Sequence, residues 1–266
     1  MKRLIYIILG TLFVISSLDG YSQNSYRVIK VNGNIIYVST GANMIQGDVF
    51  EEDESLSFET QNSRAAVINP NIGRFILTPE NYDDLSSGKS NFLPAMSNIS
   101  TRGGAINNLM DLQNQFCDYM AIICEASYHI NPVQFPMNEN QFFYVTFTYK
   151  GEKINKKLKF EDTKLILSRE EILKVDGNSI EEIDAPDMSL YYFTEDKGEY
   201  ISDFGLIFPD LDELESEIKI ILDESKESSF NKKVNDISGY LYEFYGKPDK
   251  EDVMIYLEKA FGLVKE

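Results

Sequence analysis

Histidine occurs once in the 266 residues, cysteine twice and tryptophan not at all. The single imidazole, His129, excludes zinc sites built on repeated histidines and leaves few general-base arrangements. It stands just before Asn131-Pro132, where hydrogen bonding at the end of a preceding helix is the duty expected of it, with no catalytic or metal-binding role. Cys117 and Cys124 fall in a segment of helical periodicity. On one helix they would stand about 10 Å apart along the axis, too far for a disulfide. They are expected to be buried free thiols, and an apolar setting raises a thiol pKa, which argues against a Cys-His nucleophile.

No Gly-x-Ser-x-Gly elbow, phosphate-cradling loop or dinucleotide fingerprint is present. The acidic runs Glu51 to Glu54 and Asp210 to Glu217 lack the order of a calcium loop and read as solvated carboxylates. The tyrosines and phenylalanines, 16 and 17 in number, are expected to serve sheet packing and sheet edges. No catalytic, cofactor-binding or metal-binding residue is assigned, and no cofactor is expected.

Positive charge is also short, with 25 Lys and Arg against 43 Asp and Glu and a formal net charge of −18. Such a surface repels nucleic acid and anionic lipid at long range. Lys153, Lys156, Lys157 and Lys159 form a local exception, read as one solvated strand face because Glu161 and Asp162 follow.

At the start, Met1-Lys2-Arg3 precedes an apolar run of 15 residues, Leu4 to Leu18, ended by Asp19-Gly20. A spanning helix needs roughly 17 to 25 apolar residues, so residues 1–22 are expected to be a secretory signal. Gly20 and Ser22 are small residues at −3 and −1 of a cut before Gln23. The remainder is then about 244 residues long, with net charge −19 after loss of Lys2, Arg3 and Asp19. The Tyr-Ser-Gln sequence at that point resembles signal-peptide ends in the Bacteroidetes group of Gram-negative bacteria. That resemblance implies the periplasm, the cell surface or the medium, with no transmembrane span left after cleavage.

Alternation and turn residues predict a mixed α+β chain. Residues 23–79 read as a small antiparallel β sheet or barrel. Within it Tyr26–Val31 and Ile35–Ser39 are expected to form a hairpin through Asn32-Gly33-Asn34. Residues 80–103 read as a loop or linker, and 104–127 as a linking helix with one apolar face interrupted by Gln113. Residues 128–202 read as a second antiparallel β region, including strands at Thr163–Leu167 and Ile172–Val175 and a pair formed by Leu190–Thr194 with Tyr200-Ile201. Residues 203–266 read as helices, with Asp210 and Glu213 as a capping box, Asp249 as a second cap and Gly262 as a stop.

Val31-Asn-Gly33-Asn-Ile35, Gly41, Gly47-Asp48, Ala65-Ala66-Val-Ile and Arg74-Phe-Ile-Leu77 together resemble the β domain of FecR-like periplasmic proteins. The likeness covers about a fifth of the chain, its motifs are mostly turn glycines, and a large further region follows it. It implies signal passing or contact-making without catalysis. The function expected is therefore that of a non-enzymatic exported protein binding a protein or cell-envelope component. A structural accessory of an envelope complex and a carboxylate-based hydrolase are the alternatives.

Overall fold

The structure is a computed structural model that describes residues 25–82, 105–180 and 187–264. The expected leader, 1–22, and residues 83–103 of the expected linker lie outside the described residues. The chain divides into two compact units, Met1–Phe92 and Leu93–Glu266. The architecture is α+β, with mainly antiparallel sheets followed by C-terminal helices.

The first unit holds β1 (Ser25–Asn32), β2 (Ile35–Tyr37), β3 (Val49–Glu51), β4 (Leu56–Phe58), β5 (Arg64–Asn69) and β6 (Gly73–Leu77). One sheet has the order β3-β1-β5-β6, and β2 pairs with β4 in a separate ribbon. The larger sheet is open, with β3 and β6 at its edges, which sets the barrel alternative aside.

The expected hairpin of β1 with β2 does not form. Gly33, at φ +78°, turns the chain out of the sheet, and a Cβ there would lie 2.6 Å from Ser63 Oγ. Ser63 Oγ accepts the Asn34 N–H and donates to the Asn34 carbonyl. Asn34 is thereby tied to the loop after β4, so β2 meets β4 and not β1. Tyr26, Val28, Ile35, Phe50, Leu56, Val67, Phe75 and Leu77 fill the core between these strands. Burying each large apolar side chain contributes about 1.5 to 3 kcal/mol before chain entropy is set against it.

The second unit begins with α1 (Leu109–Gln115), β7 (Tyr119–Ala121), β8 (Glu125–His129), β9 (Phe142–Tyr149), β10 (Glu152–Lys157), β11 (Lys159–Glu161) and β12 (Lys164–Ser168). It continues with α2 (Arg169–Ile172), β13 (Lys174–Val175), β14 (Asn178–Ser179), β15 (Asp187–Thr194) and β16 (Lys197–Ile207). It closes with α3 (Leu211–Glu224), α4 (Phe230–Phe244), β17 (Lys247–Pro248) and α5 (Lys250–Phe261). A six-stranded sheet has the order β10-β9-β15-β16-β7-β17, and a three-stranded one the order β11-β12-β8. The tight turns at Lys150-Gly151, Asp176-Gly177 and Glu195-Asp196 all use positive φ, as two-residue hairpin loops require.

The helix expected over 104–127 is only α1. Asn108 caps it by accepting the Asp111 N–H, and it ends at Phe116. Tyr119–Ala121 instead pairs in parallel with Gly205–Ile207 of β16, and Glu125–His129 pairs with β12. Residues buried on both sides of short strands imitate a helical stripe in the sequence, and Ile122-Ile123 favours extended backbone. A distant carboxylate settles the matter: Asp252 of α5 accepts the N–H groups of Ile123, Cys124 and Glu125 at 2.8 to 3.1 Å. Amides bonded outward in this way cannot enter a helix. Likewise Ile172 ends α2 and does not open a strand; only Lys174 and Val175 pair there, with β14.

The C-terminal helices begin where their caps stand. Asp210 Oδ1 accepts from Asp212 and Glu213, Asp249 Oδ1 accepts from Asp252, and Gly262 ends α5 in the left-handed region at φ +65°.

Candidate binding face of the second unit

Alternation along β9, β15 and β16 sends every second side chain to the same side of the sheet. Phe143, Val145, Phe147, Met188, Leu190, Tyr192, Ile201 and Phe204 point inward to the core. Phe142 and Tyr144 of β9, Tyr191 and Phe193 of β15, and Tyr200 of β16 stand on the other face. Register lines them up: Phe142 is opposite Phe193, and Tyr144 is opposite Tyr191, which is in turn opposite Tyr200. Phe142 and Phe193 stack at 4.9 Å, Tyr144 and Tyr191 stack at 5.1 Å, and Tyr200 meets Tyr191 edge-on at 5.7 Å. Such cross-strand aromatic pairs each add about 0.5 to 1.5 kcal/mol beyond their area.

Two glycines form a floor beneath this stripe. A Cβ at Gly198 would overlap the Tyr144 hydroxyl, and one at Gly205 would overlap the ring of Tyr119. Tyr144 therefore leans across β15 onto β16, and Tyr119 leans from β7. A bulge between Leu190 and Tyr191 brings Tyr200 into line. Gln113, the polar break in the apolar face of the first helix, donates to the Ile201 carbonyl at that bulge.

Tyr200 at one end of the stripe is 54% exposed and Tyr119 near it 50% exposed, while Phe142, Tyr144, Tyr191 and Phe193 are half-buried. Burial, with Tyr191 beside it, pushes the Tyr144 phenol above its ordinary value, so it remains a protonated donor at neutral pH. Lys157 Nζ sits 4.3 Å from the Phe142 ring centroid on one flank and 3.4 Å from Glu139. On the other, Ser189 donates to Asp203 at 2.6 Å. Half-buried and exposed aromatic rings aligned on one sheet face, three of them with hydroxyls at their tips, suit contact with another macromolecule.

The residues singled out in the sequence do not converge. His129 ends the strand β8, opposite Lys164, and is exposed, so the helix-end duty expected of it has no helix to serve. Cys117 is exposed and Cys124 half-buried, and both are free, which corrects the expected pair of buried thiols in one helix. Lys153, Lys156 and Lys157 lie on β10 and Lys159 opens β11; Lys156 turns under the sheet to donate to the Lys174 carbonyl. Glu54 accepts from Ser39. The buried carboxylates are engaged elsewhere: Glu217 accepts the Tyr245 hydroxyl and Asp252 accepts backbone N–H groups, as does the half-buried Asp249. An open hollow of about 620 Å³ in the first unit is lined by Asn32, Gly33, Thr60, Ser63, Arg64 and Thr78 among others, but its central Ser63 hydroxyl already bonds Asn34. Among the described residues no three His, Cys, Asp or Glu groups are placed to hold a metal ion, and no helix is long and apolar enough to cross a membrane.

No family model and no curated protein matches the chain. A solved structure of the N-terminal four Ig domains of Dscam1 isoform 6.9 is similar over 69% of this chain and 44% of its own, at 12% identity and a TM-score of 0.21. The chain thus spans less than half of that structure, and so low a score carries no argument.

Proposed function

We propose that this is an exported, non-catalytic binding protein of the cell envelope, whose second unit holds a protein partner on the aromatic face of the six-stranded sheet. The observation that carries this reading is the stacked stripe of the half-buried Phe142, Tyr144, Tyr191 and Phe193 with the exposed Tyr200. Rings already ordered by stacking lose little freedom on binding, which is why tyrosine is favoured at contact surfaces. The leader-like start and the FecR-like pattern of residues 31–77 support the envelope setting. A structural accessory of an envelope assembly would use the same face in a permanent, stoichiometric complex. A carboxylate-based hydrolase draws no support from Glu217, Asp249 and Asp252, which serve Tyr245 and the backbone.

The test is a photo-crosslinking side chain placed at Tyr200, with Tyr242 on α4, also 54% exposed, as the control, in cells that export the chain. A discrete protein adduct from position 200 and none from 242 is expected. Equal labelling from both positions, or none from 200, would sink the reading.

A further inference from the structure

Among the described residues β10 is the terminal strand of the six-stranded sheet, and its register with β9 fixes where each of its backbone groups points. The Leu158 N–H, just past the strand, donates to the Phe143 carbonyl at 2.9 Å. The pairing then runs without a break from Lys157↔Tyr144 to Glu152↔Tyr149. In an antiparallel ladder only every second pair exchanges bonds. Lys156, Ile154 and Glu152 therefore bond to β9, and the N–H and C=O groups of Lys157, Asn155 and Lys153 face away from it. The side chains of those same three residues lie on the aromatic side, where Lys157 covers Phe142.

Sheet edges are usually blunted by bulges, proline, shortness or charge. β10 is six residues long, has no proline and no register shift against β9, and relies on lysine alone. Three of its six residues are Lys, in a chain whose net charge is −18. That charge selects between occupants. A second copy paired antiparallel about Asn155 would set Lys153 against the copy's Lys157, and like charges directly opposite each other repel. An acidic strand in the same place would set carboxylates against both.

We infer that the β10 edge seats an extended acidic segment of a protein partner, added as a further strand whose side chains continue the aromatic stripe beside Phe142. This rests on the reading of the second unit as a binding unit. Backbone bonds would supply affinity and alternate side chains specificity, as in other strand additions.

The probe is a capped peptide of alternating glutamate and threonine, compared with one of alternating lysine and threonine, titrated into the full chain. Expected are at least tenfold slower amide exchange at Lys153, Asn155 and Lys157, and at least tenfold tighter binding of the acidic peptide. Asn155→Pro removes one outward donor and leaves every β9 bond in place, so it should keep the fold and lose tenfold or more in binding. The double variant Lys153→Glu/Lys157→Glu should reverse the preference between the peptides, and it decides the matter if the proline variant does not fold. Absence of protection at those three amides with millimolar acidic peptide, or unchanged binding by folded Asn155→Pro, would overturn the inference. If folded Asn155→Pro still gives the partner adduct at position 200, the edge is not the seat while the aromatic-face reading stands. If Tyr144→Ala/Tyr191→Ala leaves that adduct unchanged, the face reading itself fails.

Discussion

Replacing Asp249 by Asn should flatten one component of the pH dependence of stability and make the protein more resistant to unfolding at alkaline pH. Asp249 precedes α5, and its Oδ1 accepts the Asp252 N–H at 2.9 Å. Burial pushes its carboxyl from 3.8 up to about 6; the Asp252 backbone N–H opposes the shift and the Asp252 carboxylate adds to it. A carboxyl whose folded pKa is raised binds its proton more tightly in the folded state. Its contribution is fully present below the unfolded pKa and is lost as pH rises through about 6. With these two values the loss between pH 5 and pH 8 is about 1.4 kcal/mol. Asn cannot ionise, and it is as good an N-cap as Asp. The stability of the variant minus that of the parent, from urea unfolding at fixed ionic strength, should therefore grow by about 1.4 kcal/mol from pH 5 to pH 8. A difference that stays flat within about 0.5 kcal/mol, or one that shrinks, would refute the argument. The second outcome would mean that the backbone N–H groups hold Asp249 ionised in spite of burial.

Asp252→Ala strips the acceptor from the Ile123, Cys124 and Glu125 amides. Only the Ile123 N–H is fully buried, so the cost should be about 1 to 3 kcal/mol for that donor and less for each of the other two, at least about 2 kcal/mol together, read by urea unfolding of the second unit; a loss under about 1 kcal/mol would show that the segment finds other partners. Gly33→Ala meets both a positive φ and Ser63 Oγ at 2.6 Å, so about 2 to 3 kcal/mol should be lost, seen as a lowered thermal midpoint of the first unit, and a neutral result would contradict the Ser63 tie. Native thiol labelling should mark the exposed Cys117 quickly and the half-buried Cys124 slowly; two equal rates, or none before denaturation, would count against this placement.

How far the chain could be read before folding depended on how far each deciding partner lay along it. Caps and tight turns are settled within about four residues, so Asp210, Asp249, Gly262, Lys150-Gly151 and Asp176-Gly177 stand where their residue types place them. The pairing of Leu190–Thr194 with the strand holding Tyr200 was equally local, since Glu195-Asp196 turns one into the other. Two of the misread segments were decided from afar. Ser63, 29 residues from Asn34, diverts the chain after Gly33 into another sheet. Asp252, 129 residues from Ile123, holds an apolar stretch extended that otherwise satisfies helical spacing. Neither carboxylate nor hydroxyl announces such a task, because both are ordinary surface residues by type.

The aromatic face lay between these extremes. Phe142 to Val145 and Leu190 to Phe193 show large side chains at every position, so the sequence revealed that both faces of those strands are aromatic or apolar. Half of them had to face away from the core, and that much followed from the period of a strand alone. What could not be read was their convergence. That needed β9 beside β15 in one register, a bulge to bring Tyr200 opposite Tyr191, and Gly198 to admit the Tyr144 ring. Gln113 was a visible trace of that arrangement: it breaks the apolar spacing of the sequence, and in the fold it stands exposed with its amide turned onto the sheet. Its partner is the Ile201 carbonyl at the bulge. The residue that looked like a flaw in a helix thus marks the irregularity on which the alignment of the aromatic stripe depends.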